Sequence, residues 1–131
     1  MQTTKPQLKA ILTCDTIIAE KGTDKHSLIG IFDRMYITKF PTSYFPIYLY
    51  LAFSGSGDFR IRVSFHDLTE DKEIASSSLP QLIHCPDRLK TYQVIFRLPP
   101  LPLPQEGDYD FIVYANDEII AQRTINVIQR K

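Results

Sequence analysis

IYLYLAFSGSGDFRIRVSFHD, residues 47–67, alternates apolar and other side chains on both sides of a glycine–serine centre. Ile47, Leu49, Leu51 and Phe53 fall on one face, with Tyr48, Tyr50 and Ala52 on the other. Beyond Gly55, Ser56 and Gly57 the period returns, with Phe59, Ile61, Val63 and Phe65 against Arg60, Arg62, Ser64 and His66. An extended chain points successive side chains to opposite faces, so this pattern reads as two strands with one apolar face each. A tight turn at the glycines predicts a hairpin in which Phe53 meets Phe59, Leu51 meets Ile61 and Leu49 meets Val63. That register sets Tyr50 opposite Arg62 on the outer face.

Upstream, KAILTCDTII (residues 9–18) reads as a first strand with Leu12 and Cys14 inward, and SLIGIFDRMYITKF (residues 27–40) as a second, longer one. Gly30 lies in the middle of the latter, where a glycine marks a bulge or a close backbone approach. Pro41 and Pro46 limit the strands beside them, since proline cannot donate to a ladder. Downstream, EDKEIASSS (residues 70–78) gives a turn and a short strand, LPQLIHCPDRLK (residues 79–90) an irregular segment with room for one helical turn, and TYQVIFRL (residues 91–98) a further alternating strand.

The tract PPLPLP (residues 99–104) has the composition of a polyproline ligand. Leu98, Leu101 and Leu103 are interleaved with its prolines and strands flank it, which favours a stiff crossover between sheets. In QEGDYDFIVYA, Gly107 precedes Tyr109 by two residues at a strand start, as in the tyrosine corner of immunoglobulin-like sandwiches. The chain has no tryptophan, and this strand no cysteine, which excludes an antibody-type domain. For the closing hairpin, a three-residue loop ending at Glu118 aligns Ala115 with Ile119, Val113 with Ala121 and Tyr109 with Ile125. A two-residue loop at Asn116–Asp117 instead sets Phe111 opposite Gln122. The first register leaves Arg123 beside Phe111, a misfit that points to a sheet rim, a stacked guanidinium or a bulge.

About eight short, evenly spaced strands make this an all-β chain, an antiparallel β-sandwich of immunoglobulin-like architecture, with a β-barrel as the alternative. At 131 residues it reads as a single domain, residues 1–131, large enough to fold without staples. Fifteen basic residues balance fifteen acidic ones. Zero net charge disfavours a nucleic-acid partner, which rewards excess positive potential, and removes one barrier to self-association. No apolar run has the length of a signal core or a membrane span, so the expected location is cytoplasmic, with Cys14 and Cys85 as free thiols.

The segments AILTCDTII, KHSLIGIFDRM and the proline-led GDYDFIVYANDEIIAQRTINV together resemble an uncharacterised bacterial family of domains of unknown function. Its members share a leading Cys-Asp, a SLIGIF segment and this closing hairpin. The resemblance implies a small bacterial β-sandwich and supplies no reaction, ligand or partner.

Chemistry-bearing residues are sparse. His26, His66 and His84 have no partner at ligand spacing, and HDLTEDKE (residues 66–73) lacks the alternation and turn glycine of a calcium loop. His84 and Cys85 are at best half of a zinc set. Asp15 and Asp33, if buried together, would form an acid pair with one raised pKa; otherwise each bonds to backbone amides at a strand end. No nucleophile motif, phosphate loop or dinucleotide fingerprint is present. The row Tyr48, Tyr50, Arg60 and Arg62 has the aromatic–guanidinium character of protein interfaces, but a cross-strand cation–π pair on an ordinary sheet accounts for it more simply. The expected function is a non-catalytic binding or assembly module of a bacterial cell, with a protein partner or a second copy. No cofactor, metal, nucleic acid or membrane is expected. The alternative is a small metal-dependent hydrolase or metal-binding protein using Asp15, Asp33 or the His66 loop.

Overall fold

The computed structural model describes residues 5–131, and no described residue is helical. Along the chain run β1 (Gln7–Ala19), β2 (His26–Ile31), β3 (Arg34–Ile37), β4 (Thr42–Tyr44), β5 (Ile47–Ser54), β6 (Gly57–Phe59) and β7 (Ile61–Asp67). There follow β8 (Lys72–Ser78), β9 (Ile83–Cys85), β10 (Tyr92–Leu98), β11 (Leu101–Leu103), β12 (Gly107–Ala115) and β13 (Glu118–Gln129). One sheet has the order β10-β5-β1-β2 and the other β3-β13-β12-β7-β8. The three-residue strands form two small ladders, β11 with β4 and β6 with β9. The fold is a β-sandwich of more strands than the alternation alone resolved, and β9 lies where a helical turn had room.

The expected hairpin of residues 48–64 does not form. β5 and β7 belong to opposite sheets. Leu49, Leu51 and Phe53 face inward from one sheet, and Ile61, Val63 and Phe65 from the other, all within one core. The chain crosses between them at residues 55–60, where Phe53 and Phe59 meet edge to face at 6.0 Å. A second switch replaces the single long strand expected over residues 27–40. β2 pairs with β1, the chain turns at Phe32 and Asp33, and β3 then joins β13 in parallel.

On β1 the inward residues are Ile11 and Thr13, which pair with Leu51 and Leu49; Leu12 and Cys14 pair with Tyr50 and Tyr48 on the outer face. Cys14 is nonetheless buried. The register explains why. In a flat ladder His26, opposite Ala19, would sit seven residues along β1 from Leu12, the partner of Tyr50, or about 23 Å away at 3.3 Å per residue. Yet the His26 and Tyr50 rings are 6.2 Å apart, and His26 Nδ1 lies 2.9 Å from Gln93 Oε1. The β1–β2 hairpin therefore folds back over the outer face of the first sheet. Its bend is at Gly30, where φ is 72° and an added Cβ would fall 2.8 Å from the Asp15 carboxyl carbon.

The proline tract is a crossover. β10 ends at Leu98, β11 pairs with β4 in the middle of the tract, and Leu98, Leu101 and Leu103 are buried. In the closing hairpin, Val113 pairs with Ala121, Phe111 with Arg123 and Tyr109 with Ile125. Its tip differs from the expected three-residue loop. Asn116 and Asp117 form a two-residue turn, both with positive φ, and Ala115 pairs with Glu118. The register shifts by one residue between Val113 and Tyr114, which restores the inward alignment below it.

Tyr109 is fully buried and stacks on Phe65 at 5.2 Å. Its hydroxyl donates to the Gln105 carbonyl at 2.5 Å and accepts from the Gln105 amide at 3.4 Å. Next to it, buried Asp67 accepts from the Thr69 amide at 3.0 Å and the Gln105 side-chain amide at 3.2 Å, so the β7–β8 turn and the crossover are joined. Gly107, at φ 148°, leaves no room for a Cβ beside the Thr69 hydroxyl. Tyr109→Phe strips the buried carbonyl of its donor and should cost about 1–3 kcal/mol in urea unfolding. An unchanged midpoint would mean that the corner bond carries no net stability.

Candidate functional site

The four predicted surface residues do not form one surface. Tyr48 and Tyr50 lie on the outer face of the first sheet, where the Tyr50 hydroxyl donates to Gln93 Oε1 at 2.6 Å beneath the folded-back hairpin. Burial raises the Tyr50 phenol above its ordinary value. Arg62 lies on the outer face of the second sheet, stacked on Tyr114 at 4.1 Å and paired with Glu73 at 3.3 Å. Arg60 sits between β6 and β7, where its amide donates to the Asn116 side-chain oxygen at 2.8 Å and its carbonyl accepts from the Asn116 amide at 3.0 Å. The row read from one hairpin is thus divided between two faces of the sandwich.

The acidic loop after β7 is occupied by the protein's own donors. Glu73 accepts from the Ser64 hydroxyl at 2.5 Å, and Glu70 from Gln105 at 3.3 Å. His84 bonds Asp58 at 2.6 Å on the exposed side of β9, while Cys85 enters the core on the other side. Asp15 and Asp33 are both exposed, so the buried acid pair is not formed. Among the described residues, no group of three or more His, Cys, Asp or Glu side chains is placed to hold a metal ion.

A different arrangement arises where the chain passes from β2 to β3. Arg123 projects from β13 across the sandwich, donating through Nε to Thr13 Oγ1 at 2.9 Å and through a terminal nitrogen to the Phe32 carbonyl at 2.9 Å. The Thr13 hydroxyl donates to the same carbonyl at 2.6 Å, and the Phe32 amide to the Thr13 carbonyl at 3.0 Å. The misfit residue of the closing hairpin is therefore a clip between the two sheets. It fixes the backbone at Phe32, beside which Asp15, Phe32, Arg34, Met35, Tyr36 and Tyr44 line a groove of about 250 Å³. Met35 is buried at its base, and Arg130 covers one face of the Tyr36 ring at 4.0 Å. Alternation on β3 gave no signal for this groove, because its walls come from three strands of two sheets and a small ladder.

Residues 9–128 match the model of a family of unknown function, DUF6941. The chain belongs to this family. It is also similar to the solved structure of an immunoglobulin-like protein from Pseudomonas aeruginosa, at 11% identity and a TM-score of 0.45, over 95% of this chain and 97% of that one. No curated protein matches it.

The two thiols of this DUF6941 domain are unpaired and buried. Burial raises both, Cys85 to about 11, with Asp15 and Asp58 adding to the effect at Cys14 and Cys85 respectively. A thiol-reactive probe at pH 8 should leave the folded protein unlabelled and react with both cysteines in urea; rapid native labelling would contradict this burial. Because Cys85 keeps its proton longer when folded, its contribution is complete below pH 9 and is lost as the pH rises through 11. Stability should fall in that window, by up to about 1.4 kcal/mol per pH unit.

Proposed function

We propose that this DUF6941 domain is a non-catalytic assembly module of the bacterial cytoplasm, which pairs with a second copy of itself along the β1–β2 ribbon. The observation that carries this reading is one exposed apolar row. Cys14 pairs with Ile31, Thr16 with Ile29 and Ile18 with Ser27, so these side chains share a face. Ile18, Ile29 and Ile31 are 54%, 48% and 54% exposed. Scattered single apolar residues need no explanation, but three isoleucines on one side of a two-stranded ribbon form a patch.

Two further features support a second copy as the occupant. β2 is an edge strand, paired only with β1, and its sequence HSLIGI carries none of the lysines or prolines that usually blunt such an edge. Antiparallel pairing of two such edges about a two-fold axis is self-complementary, and brings Ile29 and Ile31 of both copies into one cluster. The formal charge of zero offers no net repulsion between copies.

Ile29→Lys with Ile31→Lys places charge on this patch at exposed positions, with an expected change in fold stability of within about 0.5 kcal/mol for each. Sedimentation velocity should show a concentration-dependent dimer for the wild type and a monomer for the variant. A wild type that stays monomeric to its solubility limit would overturn the reading.

A further inference from the structure

We infer that the groove beside β3 binds a small zwitterion of the α-amino-acid type that carries an apolar or aromatic side chain. This does not rest on the self-pairing of β2, whose isoleucines do not line the groove.

The groove presents one carboxylate, Asp15, one guanidinium, Arg34, and two phenols, Tyr36 and Tyr44. The two charges do not pair with each other: the ion pairs among the described residues are Lys5–Glu118, Arg62–Glu73 and His84–Asp58. Nor does either charged side chain, or either phenol hydroxyl, hydrogen-bond elsewhere in the described chain. Four polar tips of complementary kind thus border one small concavity without being tied to other groups of the described chain.

The support behind them is fixed. Arg34, Met35 and Tyr36 stand in register with Asn126, Val127 and Ile128 of β13, and the Asn126 amide holds the Asp33 carbonyl at 2.8 Å. Arg123 and Thr13 hold the Phe32 carbonyl, and Asp15 lies against Gly30, in space that any larger residue there would take. With the backbone held in this way, binding a small ligand has only the side chains that touch it to order.

Charge complementarity selects the ligand class. A neutral molecule would draw water from both charges and return no ion pair to either. A simple anion on Arg34 would face Asp15, and a simple cation on Asp15 would face Arg34. A molecule with a carboxylate and an ammonium a few bonds apart satisfies both, with the carboxylate on the guanidinium in the bidentate manner. The remaining walls, Phe32, Met35 and the Tyr36 and Tyr44 rings, are apolar or aromatic, and suit one side chain of that character. A volume of about 250 Å³ suits a ligand of single-residue size.

The probes are L-phenylalanine and L-leucine, titrated into the full chain by calorimetry and by amide chemical shifts. N-acetyl-L-phenylalanine and L-phenylalanine amide, each lacking one charge, serve as comparisons. Saturable binding is expected, with shifts centred on β3, Phe32 and Asp15. Each blocked analogue should bind about ten-fold more weakly than the free amino acid. Asp15→Asn should abolish the discrimination against the acetylated probe and keep that against the amide, whereas Arg34→Gln should do the reverse. Both changes are at exposed side chains, and an unaltered melting curve shows that the fold is kept. Absence of saturable binding by either amino acid overturns the inference. So does equal affinity for free and blocked probes, or wild-type discrimination retained in both variants.

Discussion

Between Ser54 and Ile61 the chain leaves one sheet for the other, and the sandwich depends on that passage. Had β5 and β7 paired side by side, their apolar rows would have made one broad face still in need of a cover. Placed in opposite sheets, the row Leu49, Leu51, Phe53 and the row Ile61, Val63, Phe65 cover each other. At Gly55 an added Cβ would press on the Pro6 backbone at 3.2 Å, and Gly57 takes a φ of 126°, which L side chains rarely adopt. β6 then finds its hydrogen-bond partner in β9, which gives backbone groups of the corner a ladder of their own.

Period two states which side chains point inward and is silent on which strand lies alongside. This is why the inward rows of β5, β7, β10 and β12 were readable while the neighbours of β5 and β7 were not: hairpin and sheet switch bury the same residues. The same ambiguity hid the passage from β2 to β3, where alternation continues through Phe32 and Asp33 while the sheet changes. Near Asn116 two irregularities cancel. A two-residue turn alone would reverse the faces, and the register shift beside it reverses them again, so the pattern below looks as if a longer loop had been used. Local signals with a specific steric cause fared differently: Gly107 has a positive φ and the Tyr109 hydroxyl bonds the Gln105 backbone, whereas Gly30, read as a bulge or a close backbone approach, has a positive φ with no register shift in the β1–β2 pairing.

The candidate sites divide along the same line. Tyr48, Tyr50, Arg60 and Arg62 were grouped by a hairpin that does not exist, so their grouping dissolved with it. Asp15 was singled out, but beside Asp33 as an acid pair; its neighbours in the groove are instead Arg34, Tyr36 and Tyr44. Those three are ordinary alternating positions on short strands, and only the topology brings them to one place. The most informative residue was the one that fitted worst. Arg123 interrupts an apolar row because its guanidinium is needed on the far side of the sandwich, where the Thr13 hydroxyl and the Phe32 carbonyl converge.

That clip also links the groove to the ribbon. Phe32 follows directly on β2, so holding its carbonyl to β1 and β13 anchors the base of the β1–β2 hairpin while leaving its far half free to bend at Gly30. The bend sends His26 onto Gln93 and Tyr50, which covers the outer face of the first sheet at that point. Within the folded-back half, Ile17, His26 and Leu28 are half-buried, whereas Ile18 and Ile29 remain in water, as does Ile31 at its base. No rotation of the ribbon relieves this, because its two faces are fixed by the register and only one can be turned to the sheet. The isoleucine row is thus the consequence of a bend that one glycine allows, and what it lacks is a surface that this chain does not itself supply.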